Sequence, residues 1–203
     1  DTIHFSPDSI SESQKHLLRE QLGINSKDLV FCFIGRLVGD KGINELISSF
    51  SETCKNKSSQ NIKLLLVGNH EQDLDALLEN TIQTIAENPN IISCGWQKDV
   101  RLFMAISQVF VLPSYREGFP NVVMQAGAMG LPCIVSNING CNEIIQEGVN
   151  GCIIPPKNIP ALSQAMQQMI ENPVLRQTLG KNARPSIASR FEQELVWEAL
   201  LEE

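Results

Sequence analysis

From residue 29 onward, short apolar runs alternate with longer stretches of helical spacing, and that alternation leaves few architectures open. The runs are "LVFCFIG" (29–35), "IKLLLVG" (62–68), "NIISCG" (90–95), "QVFVLPS" (108–114), "PCIVS" (132–136) and "GCIIP" (151–155). Between them, "GINELISSFSETC" (42–54) places Ile43, Leu46, Ile47 and Phe50 on one helical face. "DLDALLENTIQTIAEN" (73–88) and "KDVRLFMAIS" (98–107) also read as helices, with shorter ones expected near 120–130 and 140–147. Strands apolar on both faces must be covered on both faces, and a parallel sheet achieves this with helical crossovers. Such crossovers are right-handed, so the expected fold is α/β, a doubly wound, Rossmann-like parallel sheet.

The flanks add helices. "SESQKHLLREQLG" (11–23) reads as a helix with Gly23 as its C-cap. Residues 160–203 read as helical throughout, with breaks expected at Asn172-Pro173 and at Pro185. Residues 1–10, "DTIHFSPDSI", do not share this rhythm and read as an extended segment arriving from something upstream. The first residue is Asp1 rather than Met, so a fragment start is expected.

With 203 residues, 42% of them hydrophobic and 19% charged, the chain can bury a core as one domain and is not a disordered composition. A net charge of -7 argues against a general nucleic-acid binder, because phosphate backbones reward dense positive charge. A local cationic spot can still hold one small anion. The cysteines at 32, 54, 94, 133, 141 and 152 never fall in a CxxC spacing, which disfavours zinc. Cys32, Cys94, Cys133 and Cys152 lie in or beside apolar runs, so reduced core thiols of a cytoplasmic protein are expected. No apolar run approaches the roughly 20 residues of a membrane span.

In an open α/β sheet, ligands gather at the carboxyl ends of the strands. After the first run comes "GRLVGDKG", which sets Arg36 and Lys41 at a strand exit and a helix start, with glycines at 35, 39 and 42. Two cations near helix amino ends suit a diphosphate, and a solvated basic turn with Lys41 paired to Asp40 fits the same residues. No GxGxxG follows any strand, and GxxxxGK[ST] is missing, which disfavours dinucleotide enzymes and P-loop nucleotidases. After the fourth run comes "REGFPNVVMQAGAMG". Pro120 suits the first turn of a helix, so the N–H groups from Gly118 to Val122 would face the strand ends. Glu117 just before it is either a ligand to sugar hydroxyls or a simple favourable charge at a helix amino end. Gln125 follows eight residues later, about 12 Å along a helical path.

Taken together, "GRLVGDKG", "LLLVG", "CGW", "LPSYREGFPNVVMQAGAMGLPCIVSNINGCNEII" and "GVNGCIIPP" occur in an order that resembles the donor-binding, C-terminal half of retaining GT-B glycosyltransferases, group 1, of the kind that build capsular and lipid-linked glycans. The resemblance covers essentially the whole chain. It implies an interdomain linker remnant at 1–10 and a nucleotide-sugar donor-binding domain at 11–203, ending in helices at 160–203. It implies that Arg36 and Lys41 bind the donor diphosphate and that Glu117, the first acid of the family's E-x7-E motif, holds hydroxyls of the transferred sugar. Gly35, Gly118, Phe119, Asn121 and Val122 would line the sugar and phosphate site. The turn at Gly95-Trp96 matches a base-contacting loop, with a plain core aromatic as the other reading of Trp96.

Gln125 departs from the pattern, standing where a second acid usually grips both ribose hydroxyls. An amide offers one acceptor and one donor, so a loss of about 1–2 kcal/mol in donor affinity is expected. Gly127 also departs, and it weakens the helix. The resemblance implies a hexose or N-acetylhexosamine donor, faintly a UDP-sugar, and a glycan or lipid-linked acceptor bound by a missing N-terminal domain. No metal or other cofactor is expected, since the two cations and the helix start would carry the leaving group's charge. The isolated chain is expected to transfer essentially nothing. The resemblance allows peripheral association of the full-length protein with the inner face of the cell membrane. The rival reading is a non-catalytic nucleotide-sugar-binding module in which Gln125 marks decay of the site. A UDP-sugar epimerase finds no match for its hydrolytic acids.

Overall fold

The computed structural model describes residues 1–55, 61–71 and 75–192. The apolar runs become six parallel strands: β1 (Leu29–Ile34), β2 (Ile62–Val67), β3 (Ile91–Gly95), β4 (Val109–Leu112), β5 (Cys133–Ser136) and β6 (Gly151–Ile154). They form one sheet in the order β3-β2-β1-β4-β5-β6, the doubly wound arrangement that the alternation predicts. β1 and β2 pair along their whole length, from Leu29↔Ile62 to Ile34↔Val67. β1 and β4 pair only at Phe31↔Val109 and Cys32↔Phe110, so they part before their carboxyl ends, where the strand order reverses. A crevice must open there.

Phe31, Phe33, Phe110, Leu64, Leu65 and Leu66 are fully buried in the sheet, each contributing about 1.5–3 kcal/mol by leaving water. β3 is the exception: only Ile91 is buried, and its other four residues are part-exposed or exposed, as befits an edge strand. Among the described residues the α-helices are α1 (Glu12–Gln21), α2 (Ile43–Lys55), α3 (Glu79–Glu87), α4 (Arg101–Ala105), α5 (Asn121–Ala128), α6 (Cys141–Ile144), α7 (Ile159–Glu171) and α8 (Pro173–Phe191). Crossovers running outward in opposite directions from β1 and β4 set α2 and α5 on opposite faces, where α7 packs on α2 and α8 on α5.

Several helices are shorter than their periodicity suggests. The stretch 98–107 yields only α4, because the Asp99 side chain accepts from Arg101 N at 3.0 Å and starts the helix there. The stretch 73–88 yields α3, with 72–74 outside the described residues. The segment 140–147 yields α6 alone. At the chain's start, α1 carries a capping box between Ser11 and Gln14. It ends in a Schellman arrangement, with Gly23 at φ +65 and Ile24 N bonded to Arg19 O at 2.8 Å.

The break at Asn172-Pro173 occurs, Asn172 capping α8 by accepting from Leu175 N at 2.9 Å. The break expected at Pro185 does not: α8 continues to Phe191. Ala183 and Ile187 are buried on either side of the proline, and Arg184 donates to Phe5 O and Ala128 O at 2.7 and 2.6 Å, so tertiary anchoring offsets the lost main-chain bond. The remainder of the 160–203 helical reading, from 193, lies outside the described residues. Residues 1–10 are not simply extended. They contain a 3-10 turn at Pro7–Ser9 and are tied to α8, Arg184 donating to Thr2 O at 2.8 Å and Thr2 bonding to Glu192.

Candidate functional site: a hollow where the strand order reverses

A hollow of about 390 Å³ occupies the crevice between β1 and β4, within the usual range for small-ligand sites. Ile34 and Leu112, the last residues of the two parting strands, form part of its wall. Gly35, Lys41, Glu117, Phe119, Asn121, Val122 and Gln125, all singled out by the sequence, line it as well. Residues 76 apart in the chain meet here: Lys41 Nζ donates to Glu117 Oε1 at 2.7 Å. Both side chains are 16% exposed, so this ion pair is far less screened than one at an open surface.

The helix start lies beside that pair. Pro120 is the N-cap of α5 with φ -77 and provides no side-chain cap, and the first turn begins at Asn121. The leading N–H groups of a helix have no partners within it, so those of Asn121 and Val122 are available at the wall they line. Glu117 precedes the helix in an irregular turn, so its path to Gln125 is only half helical. Both nonetheless border one hollow, Gln125 from the second turn of α5.

Supports for this turn come from elsewhere in the chain. Gly140 has φ +78 and lies so close to Gly118 O that any β-carbon would collide with it and with Pro120. The only sequence signal for it is the Asn-Gly step before α6. Beneath the hollow, burial pushes the Cys141 thiol up to about 12, with the Glu117 carboxylate adding to the rise and Lys41 opposing it. Cys94 and Cys152 are raised to about 11, again mainly by burial, and all six cysteines are free, so these are neutral packing thiols at neutral pH.

Arg36 is placed differently. It follows Gly35 at the rim but does not line the hollow; its Nη1 pairs with Glu71 Oε2 at 3.4 Å, with the side chain 48% exposed. Reaching a ligand in the hollow would require breaking a weak, exposed pair, which costs about 0–1 kcal/mol. Trp96 is 66% exposed, so the core reading fails. Its main-chain N–H donates to Asn69 Oδ1 at 3.1 Å, and Gly95, at φ +63, also borders a second hollow of about 260 Å³ walled by Leu37, Leu77, Ile82 and Ile85. The two hollows lie at the exits of neighbouring strands.

The chain carries an Asp-x-Asp triplet, Asp73-Leu74-Asp75, a spacing that metal-dependent transferases use. Asp73 lies outside the described residues, while Asp75 O accepts from Gly39 N at 2.9 Å and its carboxylate lies against Gly39. Among the described residues, no three His, Cys, Asp or Glu side chains are grouped to hold a metal. Nor is any helix among them long and apolar enough to cross a membrane.

The family model for glycosyl transferases group 1 matches residues 14–186. The capsular polysaccharide biosynthesis glycosyltransferase CapM of Staphylococcus aureus is 32% identical over 173 residues, covering 85% of this chain and 45% of its own length. The UDP-Gal:alpha-D-GlcNAc-diphosphoundecaprenol alpha-1,3-galactosyltransferase of Escherichia coli is 30% identical over 170 residues, covering 84% of this chain and 43% of its own. Among solved structures, Anabaena Alr3699/HepE in complex with UDP and glucose superposes with a TM-score of 0.84 at 25% identity, over 100% of this chain and 55% of that one. The C-terminal domain of the Francisella tularensis glycosyl transferase group 1 protein LpcC shares the fold, with a TM-score of 0.81 at 22% identity over 95% of this chain and 98% of that one. The chain thus spans about half the length of the curated relatives it matches.

Proposed function

The chain belongs to the glycosyl transferases group 1 family, and from that premise we propose that it is the donor-binding half of a retaining glycosyltransferase. The whole protein would move a hexose or N-acetylhexosamine from a nucleotide-sugar to a glycan or lipid-linked acceptor. The observation that carries this reading is the meeting of Lys41, Glu117 and the start of α5 in one hollow at the strand-order reversal. The chemical task is to stabilise negative charge growing on a departing nucleoside diphosphate. Lys41 and the Asn121 and Val122 amides offer that charge a cation and two oriented dipoles without large rearrangement. Arg36 would join them by leaving Glu71. Glu117 would accept hydroxyls of the sugar, and Gln125 would face the ribose.

The base fits the second hollow, whose walls are apolar and whose rim carries Gly95, Asn69 and His70. A uracil base is the choice favoured by the relatives, since the galactosyltransferase is named for UDP-Gal and HepE was solved with UDP. The acceptor site would belong to a part of the protein beyond these residues, and the isolated chain would bind donor weakly and transfer nothing. Gln125 favours the rival of a binding module without turnover, and kinetics separate the two. With the full-length protein and a panel of nucleotide-sugars, one UDP-sugar should support transfer, and Arg36→Ala should lower kcat by about 100-fold or more, the usual scale for one lost charge stabiliser. An unchanged rate would remove Arg36 from the leaving-group role, and no transfer with any donor would favour the binding module.

A further inference from the structure

The Lys41–Glu117 pair is held in place by residues that do not touch the hollow. Asp40, next to Lys41, has its carbonyl bonded twice from the β4 exit: by Tyr115 N at 2.8 Å and by Ser114 Oγ at 3.2 Å. Gly42, at φ +71, lies against Pro113 O so closely that no side chain fits between the two turns. The Tyr115 ring then reaches away from the hollow to α2, where its hydroxyl donates to Glu45 Oε1 at 2.7 Å. Lys157, from the turn before α7, holds its ammonium 4.5 Å from the ring centroid. Lys157 is the one non-glycine residue with positive φ, at 57, among the described residues. A lysine in that backbone region is strained by about 1 kcal/mol or more, and here the strained turn delivers its side chain to Tyr115.

The carboxylates around this tyrosine are costly to keep there. Asp40 Oδ1 and Glu45 Oε2 are buried and lack hydrogen-bond partners among the described residues. Burial and the Glu45 hydrogen bond also raise the phenol's pKa, so the hydroxyl stays a donor across the whole physiological range.

We propose that Tyr115 is a positioning residue: clamped between Glu45 and Lys157, it locks the β1-exit turn to the β4-exit turn and so sets the place from which Lys41, resting 2.7 Å from Glu117, presents its ammonium to an anionic ligand. This rests on the reading that the hollow binds a nucleoside diphosphate. It adds that affinity for the diphosphate depends on a hydroxyl on the far side of the turn, acting through Lys41.

The test is a double-mutant cycle in the full-length protein, with UDP as the probe and Kd read by calorimetry well below the melting temperature. Tyr115→Phe should weaken UDP by about five- to tenfold in the otherwise unaltered protein, the scale of one ordinary hydrogen bond. In a Lys41→Ala background, the same change should have no further effect, which loss of general stability would not reproduce. An unchanged Kd after Tyr115→Phe, with Lys41→Ala still weakening UDP, overturns the proposal and leaves the diphosphate reading standing. Equal weakening in both backgrounds also overturns it, because Tyr115 then does not act through Lys41. If the unaltered protein binds neither UDP nor pyrophosphate, the reading and the proposal fall together. Should Tyr115→Phe not fold, Lys157→Met, which withdraws the ammonium from the ring, is judged by the same outcomes.

Discussion

Gln125 shows how much a single functional group can decide. It sits in the second turn of α5 and lines the same hollow as Glu117 and Lys41. A carboxylate at that position could accept from two adjacent hydroxyls at once, with charge assistance, where the amide accepts through one oxygen. Gln125→Glu should therefore tighten UDP binding by about tenfold in calorimetry. Most of that gain should vanish with 2′-deoxy-UDP, which lacks one of the hydroxyls. An equal Kd for both variants would remove residue 125 from the ribose contact. The residue types at this site were legible in the sequence; their partners were not. Asp40, the neighbour, was the obvious partner for Lys41, yet the chain folds Lys41 onto Glu117, 76 residues away, and pairs Asp40 with Arg116 instead. Arg36 shows the same limit, since its pairing with Glu71 depends on how β1 and β2 exit together.

At the scale of elements, Gly127 resolves an apparent defect. A glycine inside α5 costs about 1 kcal/mol of helix propensity relative to alanine. Yet a β-carbon there would meet Ile187 Cγ1 of α8 at 2.7 Å, and Ile187 is only 2% exposed, so it has little room to yield. Overpacking of this kind costs about 1–3 kcal/mol, which outweighs the propensity gained. Gly127→Ala should thus lower the melting temperature by a few degrees, about 2–4 °C per kcal/mol for a chain this size. Combining it with Ile187→Ala should cost less than the sum of the two single changes. A rise in melting temperature for Gly127→Ala would mean that α5 and α8 are not in this contact. Spacing reveals helices but not such approaches, which is why Gly127 read as a weakness and Pro185 as a break. Both are answered by α8: close packing at one, and anchoring by Arg184 at the other. Conversely, the periodicity of 98–107 begins before its helix, because the Asp99 side chain accepts from Arg101 N and starts the helix there.

For the molecule as a whole, the alternation of apolar runs and helical stretches was sufficient to give a doubly wound parallel sheet, because two-sided burial and crossover handedness leave little choice. What spacing could not supply is where the strands part. β1 and β4 stay paired for only two residues of register, and that separation opens the hollow into which two distant turns deliver Lys41 on one side and Glu117 with the amides of α5 on the other. The first ten residues, read as a linker, are fastened to α8 through Arg184 and Glu192, so the segment's start and the last described helix form one edge of the domain. The account as a whole stands on the hollow being an anion cradle. The most direct measurement is a crystal structure of the full-length protein with UDP. It should show the β-phosphate within hydrogen-bonding reach of Lys41 Nζ and of the Asn121 or Val122 amide, with Lys41 drawn off Glu117. Diphosphate density elsewhere, such as the basic groove at the opposite strand ends near Lys15, Arg176 and Lys181, with the hollow between β1 and β4 unoccupied, would contradict it.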